Sequence, residues 1–235
     1  MLAVVIPVIV LTLVFAWWYR AGNKRARYRP DWEYSGRIEM VVWCIPALIV
    51  MFLGGMAWIS SHALDPPAPL ASSKEPLEID VVSMDWKWLF IYPQQGIATV
   101  NELTLPVGTP IHFRLTSSSV MNSFFIPQLG SQIYTMAGMI TQLNLQADES
   151  GIFGGRSVQF SGDGFSDMKF NVHAVSDQGF TEWVAAVKFQ GGNLDTSGYT
   201  TLLQPSHADA PRTFAKVEPA LFHHAVMAGV GMEDH

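Results

Sequence analysis

The sequence predicts a transmembrane hairpin of two helices, followed by an all-β sandwich or barrel that carries a short helix near its end. Two long runs without charged side chains predict the helices. Many short alternating segments, separated by Gly, Pro, Ser and Asp, predict the strands. A length of 235 residues has room for one or two such domains.

The two apolar runs are residues 1–19, MLAVVIPVIVLTLVFAWWY, and residues 40–64, and neither contains a charged side chain. A helix crosses the hydrocarbon core with about 20 apolar residues, so we predict spans at about residues 1–19 and 40–62. Buried core helices are the alternative, but such helices normally have a polar face. A cleaved signal peptide would begin with a basic region, which the first run lacks, so we expect a retained span.

The basic residues concentrate in the predicted loop, residues 20–39. Six of the fourteen lie there: Arg20, Lys24, Arg25, Arg27, Arg29 and Arg37. By the positive-inside rule this loop faces the cytoplasm. We therefore predict a multi-pass protein of the bacterial inner membrane with its β-domain in the periplasm. From Met40 onward eight basic residues stand against seventeen acidic ones, which argues against nucleic-acid binding.

The remaining chain divides by composition into three parts. Residues 65–76 are rich in Pro, Ala and Ser and predict a linker, and residues 77–190 carry the strand patterns. Within the second part, apolar residues repeat at helical spacing from Phe180 to Val187. Residues 191–235 form an extension without a clear signal. The single cysteine, Cys44, excludes any site in this chain that needs two thiolates.

One loop has the spacing of a metal site without its thiols. In GRSVQFSGDGFSDMKF, residues 155–170, the positions x, x+4, x+8 and x+11 hold Ser157, Ser161, Phe165 and Met168. A well-known copper loop has Cys, Cys, His and Met at the same spacing.

Three segments carry a family resemblance: VVSMDWKWLFIYPQQGIATVNE, VMNSFFIPQLGSQIYTMAGM and GFSDMKF. They resemble subunit II of the haem–copper respiratory oxidases, and within that family the quinol-oxidising branch of cytochrome bo-type ubiquinol oxidases. The likeness extends from residue 1 to about residue 220. It implies a cupredoxin-like Greek-key fold for the β-domain.

In the cytochrome c-oxidising branch of this family the domain holds a dinuclear copper centre. The resemblance maps its ligand positions onto this chain as follows: the first His onto Asn122, the two Cys onto Ser157 and Ser161, the Glu carbonyl onto Gln159, the second His onto Phe165, and the Met onto Met168. Copper in such a centre requires thiolate and imidazole ligands. We therefore expect no metal, no other cofactor and no catalytic centre in this chain.

The resemblance also implies partners. The haems and the remaining copper are expected in subunit I of a proton-pumping, oxygen-reducing ubiquinol oxidase that contains further small membrane subunits. This chain would be its non-redox subunit and would stabilise subunit I. Two alternatives are a membrane-anchored binding or assembly module without an oxidase partner, and a copper-bearing subunit II of a cytochrome c oxidase.

Three residues carry separate hypotheses. Glu39, at the predicted cytoplasmic end of the second span, matches an acidic position with a proposed proton-uptake role in the family. An interfacial carboxylate beside Arg37 is the simpler interpretation. Trp86 and Trp88 form an alternating aromatic pair that is expected to pack in the core or contact subunit I.

The tail contains several soft or imidazole side chains without a recognisable arrangement: His223, His224, Met227, Met232 and His235. They could hold a metal loosely, but termini of this composition often have no function. Their role stays open from the sequence.

Overall fold

The computed structural model describes residues 2–27 and 31–230, and the chain divides into two compact units, Met1–Ile59 and Ser60–His235. The first unit contains two helices, α1 (Leu2–Trp18) and α2 (Gly36–Ala63). The second unit contains all the strands and three further helices.

Only α2, among the described residues, is both long and apolar enough to cross a membrane by length and composition. Its 28 residues extend over about 42 Å, and its apolar side chains are exposed along its whole length. Helix α1 contains no charged side chain but has 17 residues, fewer than the roughly 20 needed for a full crossing. The structure therefore supports one of the two predicted spans by length.

The second unit is built from twelve strands in the part of the chain that the structure describes. They are β1 (Leu77–Met84), β2 (Lys87–Tyr92), β3 (Ile97–Val100), β4 (Glu102–Pro106), β5 (Ile111–Ser117), β6 (Asn122–Phe125), β7 (Ile133–Thr135), β8 (Thr141–Leu145), β9 (Gly151–Ser157), β10 (Lys169–Val175), β11 (Gly192–Leu194) and β12 (Arg212–Val217). The helices of this unit are α3 (Asp177–Gln190), α4 (Thr196–Leu202) and α5 (Leu221–Val230).

These strands form two sheets that pack face to face. The larger has the order β11-β12-β3-β2-β1-β5-β8 and the smaller the order β4-β10-β9-β6-β7. Most neighbours are antiparallel, while three pairs are parallel: β1 with β5, β4 with β10, and β11 with β12. The predicted fold class, a helical hairpin with a β-sandwich and a short C-terminal helix, is confirmed.

Aromatic rings fill the space between the sheets. Trp88, Phe90, Phe124 and Phe170 are buried, with ring centroids 5.1 to 6.4 Å apart in each contacting pair. Phe124 and Phe170 stack with an interplanar angle of 7° at 5.3 Å. Such offset or edge contacts add about 0.5–1.5 kcal/mol per pair beyond area burial. This cluster joins β2 of the larger sheet to β6 and β10 of the smaller one.

The segment 77–92 lies in the region of predicted strands, and the structure divides it into two strands. It is a hairpin, because Met84 pairs with Lys87 around a two-residue turn. Every residue of β2 is buried and β1 is nearly so. Both faces of this hairpin are covered, so polar residues such as Asp80 and Ser83 are buried together with the apolar ones.

The outer face of the larger sheet is covered by residues after 190, a region for which no secondary structure was predicted. Strand β12 pairs with β3, and β11 pairs with β12, so the sheet continues beyond the expected boundary. Val82, Met84, Leu89 and Ile91 pack there against side chains of α4 and α5 in a second core. The chain after residue 190 therefore belongs structurally to the β-domain.

A buried ion pair also borders α5. Asp80 is 3% exposed and accepts from Arg114 Nε at 2.7 Å and Nη2 at 2.9 Å. The Arg114 guanidinium lies 5.3 Å from the Phe222 ring of α5. Burial raises the pKa of Asp80, and the guanidinium offsets part of that change.

Two adjacent glycines of β9 provide a test of the sheet-to-sheet packing. A Cβ at Gly155 would overlap the ring of Phe170, its cross-strand partner, whereas a Cβ at Gly154 meets nothing within 4 Å. We expect Gly155→Ala to lower the free energy of unfolding by about 1–3 kcal/mol through overpacking. Urea unfolding of the full chain in detergent, followed by near-ultraviolet circular dichroism, measures the change.

The matched control is Gly154→Ala, which should leave the free energy of unfolding unchanged or raise it by about 0.4–1 kcal/mol. Equal destabilisation by the two substitutions would contradict the packing described between Gly155 and Phe170.

Candidate functional site

The six mapped positions lie at one end of the smaller sheet. Asn122 begins β6, Ser157 ends β9, and Met168 directly precedes β10. Gln159 and Ser161 lie in the β9–β10 connection, and Phe165 begins a 3-10 turn, Phe165–Asp167. The backbone N–H of Ser157 donates to the carbonyl of Met168 at 3.1 Å and closes this loop.

Three polar contacts join some of these positions. The Ser157 hydroxyl lies 3.3 Å from the amide oxygen of Asn122 and also 3.3 Å from the carbonyl of Gln159, so it donates to one of them at a time. The Ser161 hydroxyl lies 4.0 Å from the sulfur of Met168. These contacts form two separate groups, one of Asn122, Ser157 and the Gln159 carbonyl and one of Ser161 and Met168.

Phe165 is the exception. Its ring is half-buried and packs edge-on against Phe160, with centroids 5.7 Å apart. An aromatic ring has no lone pair to offer a metal, and here it packs against another aromatic side chain.

The donor set does not fit copper. Serine hydroxyls stay protonated near neutral pH, and an amide oxygen is a hard ligand, whereas copper centres of this kind require thiolate and imidazole. Ser157 and Asn122 are almost completely buried and already hydrogen-bond each other. Across residues 2–27 and 31–230 no group of three or more His, Cys, Asp or Glu side chains could hold a metal ion.

Trp86 occupies the turn of the β1–β2 hairpin in a left-handed backbone conformation, with φ of +64°. This conformation is uncommon for a bulky residue and requires compensating contacts. The indole N–H donates to the Ser161 carbonyl at 3.0 Å. The ring packs so closely on Gly164 that a Cβ there would overlap it. The other partner of the indole is the imidazole of His207, stacked at 4.7 Å.

Lys87, the next residue, is 2% exposed and was not singled out by sequence reasoning. Its ammonium donates to the Gln204 carbonyl at 2.8 Å and lies 3.5 Å from the Asp209 carboxylate. Burial lowers the pKa of Lys87, and Asp209 offsets part of that change. Trp86 and Lys87 together connect the β9–β10 loop to the segment 204–209. The segment that covers Lys87 is distant in sequence, so only the fold reveals it.

The other candidates lie apart from this cluster. Trp88 is fully buried between the sheets, and its indole N–H has no partner among the described residues. Of its two expected roles, core packing fits this position, and Trp86 remains the candidate contact. Glu39 is exposed in the first turn of α2, where a carboxylate favours the helix N-terminus.

The tail candidates fall partly outside the described residues. His223, His224 and Met227 lie on the exposed face of α5. Met232 and His235 belong to residues 231–235, which the structure does not describe.

Comparison with known proteins supplies the family. Residues 77–175 match the family described as cytochrome C oxidase subunit II, periplasmic domain, and residues 188–232 match the COX aromatic rich motif. The chain is 57% identical over 224 residues to the cytochrome bo(3) ubiquinol oxidase subunit 2 of Pseudomonas aeruginosa, covering 95% of this chain and 68% of that protein. It is 53% identical over 225 residues to the ubiquinol oxidase subunit 2 of Acetobacter aceti, covering 95% and 73%.

Among solved structures, the periplasmic domain of subunit II of cytochrome oxidase of Bradyrhizobium japonicum is 24% identical, with a TM-score of 0.48. The match covers 51% of this chain and 99% of the Bradyrhizobium japonicum chain.

The β-domain and its family match define a subunit II of the haem–copper oxidases, a membrane-anchored protein with a periplasmic domain that forms part of a complex with other oxidase subunits. Within that class, the chain belongs to the family of ubiquinol oxidase subunit 2. The family predicted from the sequence is confirmed. Membership favours the ubiquinol-oxidase interpretation over both alternatives.

The retained geometry of the loop can be tested by restoring ligands. We expect the variant Asn122→His, Ser157→Cys, Gln159→Glu, Ser161→Cys, Phe165→His to bind copper and to develop thiolate–copper absorption, because Asn122 already contacts Ser157 and Ser161 already contacts Met168. Visible spectra and metal analysis of the purified full chain measure the result.

The control carries the same substitutions except Ser157→Cys and should bind copper weakly, since a dinuclear centre needs both bridging thiolates. A folded complete variant without visible absorption would contradict the proposed correspondence of positions.

The anchoring role of Lys87 gives a second prediction. We expect Lys87→Met to free the segment 204–209, because the Gln204 carbonyl loses its donor and Asp209 loses a buried cation. Hydrogen–deuterium exchange should become faster in the peptide covering residues 203–211. Lys216→Met, at an exposed position, is the control. Unchanged exchange in the Lys87 variant would remove Lys87 as the anchor.

Proposed function

We propose that this chain is the non-redox subunit II of a proton-pumping ubiquinol oxidase in the bacterial inner membrane. The complex oxidises ubiquinol and reduces oxygen to water. The observation that carries the proposal is the donor set of the β9–β10 loop. Serine, asparagine and phenylalanine stand at positions where a copper relay needs thiolate and imidazole.

A chain without a redox centre is consistent with ubiquinol as the electron donor. A soluble protein donor delivers electrons at the aqueous surface and needs a redox centre there. Ubiquinol dissolves in the bilayer and reaches the membrane-embedded part of a complex directly. Electrons from ubiquinol therefore do not need metal ligands in the periplasmic domain. The haems and copper accordingly belong to subunit I, which the β-domain and the helices stabilise.

The proposed topology has two spans. Helix α2 meets the length requirement by itself. Helix α1 is short as described but entirely apolar, and it ends at Trp17 and Trp18, residues typical of the membrane interface. The basic residues between the helices favour a cytoplasmic loop, which directs the β-domain to the periplasm.

Trp86 is the proposed contact with subunit I in this domain. Its side chain is partly exposed, and the left-handed backbone at the turn projects it between the β9–β10 loop and the segment 204–209. Trp88 supports the same contact only indirectly, through the core that fixes the hairpin.

The experiment that tests the proposed function is isolation of the intact complex in mild detergent. We expect a haem-bearing subunit to co-purify with this chain, and the preparation to oxidise ubiquinol with oxygen uptake. A preparation without haem would favour an independent binding or assembly module. Preference for cytochrome c over ubiquinol would favour the copper-bearing alternative.

Glu39 is the proposed entry point of a proton-uptake path into subunit I. It lies exposed in the first turn of α2, beside the basic loop that faces the proposed proton-supplying side. We expect Glu39→Gln to slow oxygen reduction several-fold at unchanged haem content, because the amide cannot exchange protons. Oxygen-electrode rates normalised to haem measure the effect.

Glu33→Gln is the matched control, since Glu33 is exposed in the same loop and undergoes the same chemical change. Equal turnover of the two variants would dismiss the role of Glu39. Loss of haem from the Glu39 variant would point instead to assembly.

A further inference from the structure

Two positive side chains oppose each other beside the β9–β10 loop. Arg156 of β9 and Lys169 of β10 are cross-strand partners in register, and both are exposed. Like charges directly opposite each other destabilise an antiparallel pair. The Arg156–Lys169 pair is therefore electrostatically unfavourable unless an anion lies between the two cations.

No carboxylate of the described residues supplies that anion. The ion pairs of the β-domain involve other residues, and neither Arg156 nor Lys169 donates a side-chain hydrogen bond within the described residues. Asp163 and Asp167 lie in the adjoining loop but form no ion pair with either cation. The chain from Met40 onward has seventeen acidic residues against eight basic ones. Acidic side chains are abundant, yet none of those in the described residues forms an ion pair with Arg156 or Lys169.

A cavity of about 310 Å³ opens between these cations and the loop. Its walls include Arg156, Ser157, Phe165, Ser166, Met168 and Lys169. The exposed Ser166 hydroxyl has no intramolecular partner among the described residues. The lining residue Phe165 also contacts Phe160, whose ring is 72% exposed. The cavity thus combines two cations and a hydroxyl donor with an apolar wall that leads to the surface.

We propose that this cavity binds a phosphate group, supplied either by free phosphate or by the headgroup of an anionic phospholipid. A guanidinium fork matches phosphate oxygens, and an ammonium adds a compact second charge. The volume lies at the lower end of the range for small-molecule sites, about 300–1,000 Å³. The exposed Phe160 beside it suits the apolar part of a lipid, and α2 anchors the chain in a membrane. An acidic partner surface would need no concave cavity.

The test compares two double variants of the detergent-solubilised complex at constant ionic strength. Arg156→Gln with Lys169→Gln removes the proposed site, and Lys188→Gln with Lys216→Gln removes two exposed cations elsewhere in the domain. Each is titrated by calorimetry with inorganic phosphate, short-chain phosphatidylglycerol and short-chain phosphatidylcholine. We expect saturable binding of an anionic ligand to the unmodified complex and to the control. Loss of two charge-assisted contacts should weaken it at least about tenfold in the site variant.

The pattern across ligands identifies the source. Binding of both phosphate and phosphatidylglycerol supports recognition of the phosphate group itself, and binding of phosphatidylglycerol alone supports a lipid site. Equal binding of phosphatidylcholine, equal affinities of the two double variants, or no saturable binding overturns the proposal. Loss of the haem-bearing subunit from the site variant, without phosphate binding to the unmodified complex, would assign the cations to an acidic protein surface and also overturns it.

A second measurement does not require a ligand. Lys169→Gln alone should raise the melting temperature of the chain in phosphate-free buffer by on the order of 1 °C, because it removes the cross-strand repulsion. Added phosphatidylglycerol should then stabilise this variant less than the unmodified chain. A lower melting temperature of Lys169→Gln would contradict an unfavourable rung.

Discussion

The β9–β10 loop must keep its shape through hydrogen bonds and packing alone, and the arrangement at this end of the sandwich depends on that constraint. The Ser157 N–H to Met168 carbonyl bond closes the loop, and the Trp86 indole N–H fixes its middle at Ser161. Each such bond contributes about 0.5–1.5 kcal/mol, whereas a structural metal contributes on the order of 10 kcal/mol. The rest of the constraint comes from the sheet: β9 and β10 pair along their length, and Phe170 packs over Gly155 into the aromatic core.

This constraint explains two costly features nearby. Trp86 adopts a left-handed backbone conformation, which persists only where surrounding contacts determine it. Lys87 is buried, and a buried ammonium is tolerated when it is paired and hydrogen-bonded. Both residues contact the segment 204–209, so the chain after residue 190 holds the hairpin that in turn holds the loop. Stability at the loop therefore depends on residues about forty positions further along the chain.

The local elements could be predicted from the sequence, and the long-range ones could not. Uncharged runs and strand alternation identify α2 and most strands because these signals are local. The turn at Asp85 and Trp86 contains neither Gly nor Pro, so no local signal divides residues 77–92 into two strands. Strand β12 and the burial of Lys87 arise from pairing between distant segments, which no local pattern records. At the site, spacing and resemblance identified Ser157, Ser161 and Met168, while Arg156 and Lys169 became notable only through their register across two strands.

Loss of copper ligands and the opposed cations are connected by electrostatics. Two unit charges about 8 Å apart interact by roughly 2 kcal/mol at an effective dielectric constant of about 20. Cations of the protein beside a cationic metal centre would therefore weaken metal binding. Once Ser157 and Phe165 replace ligands, that penalty disappears, and positive charge at the mouth of the same loop becomes compatible with the fold. The apolar ring of Phe165, which has no atom that can coordinate a metal, instead lines the cavity. In the proposed copper-free subunit, this loop can instead bind an anion through Arg156 and Lys169.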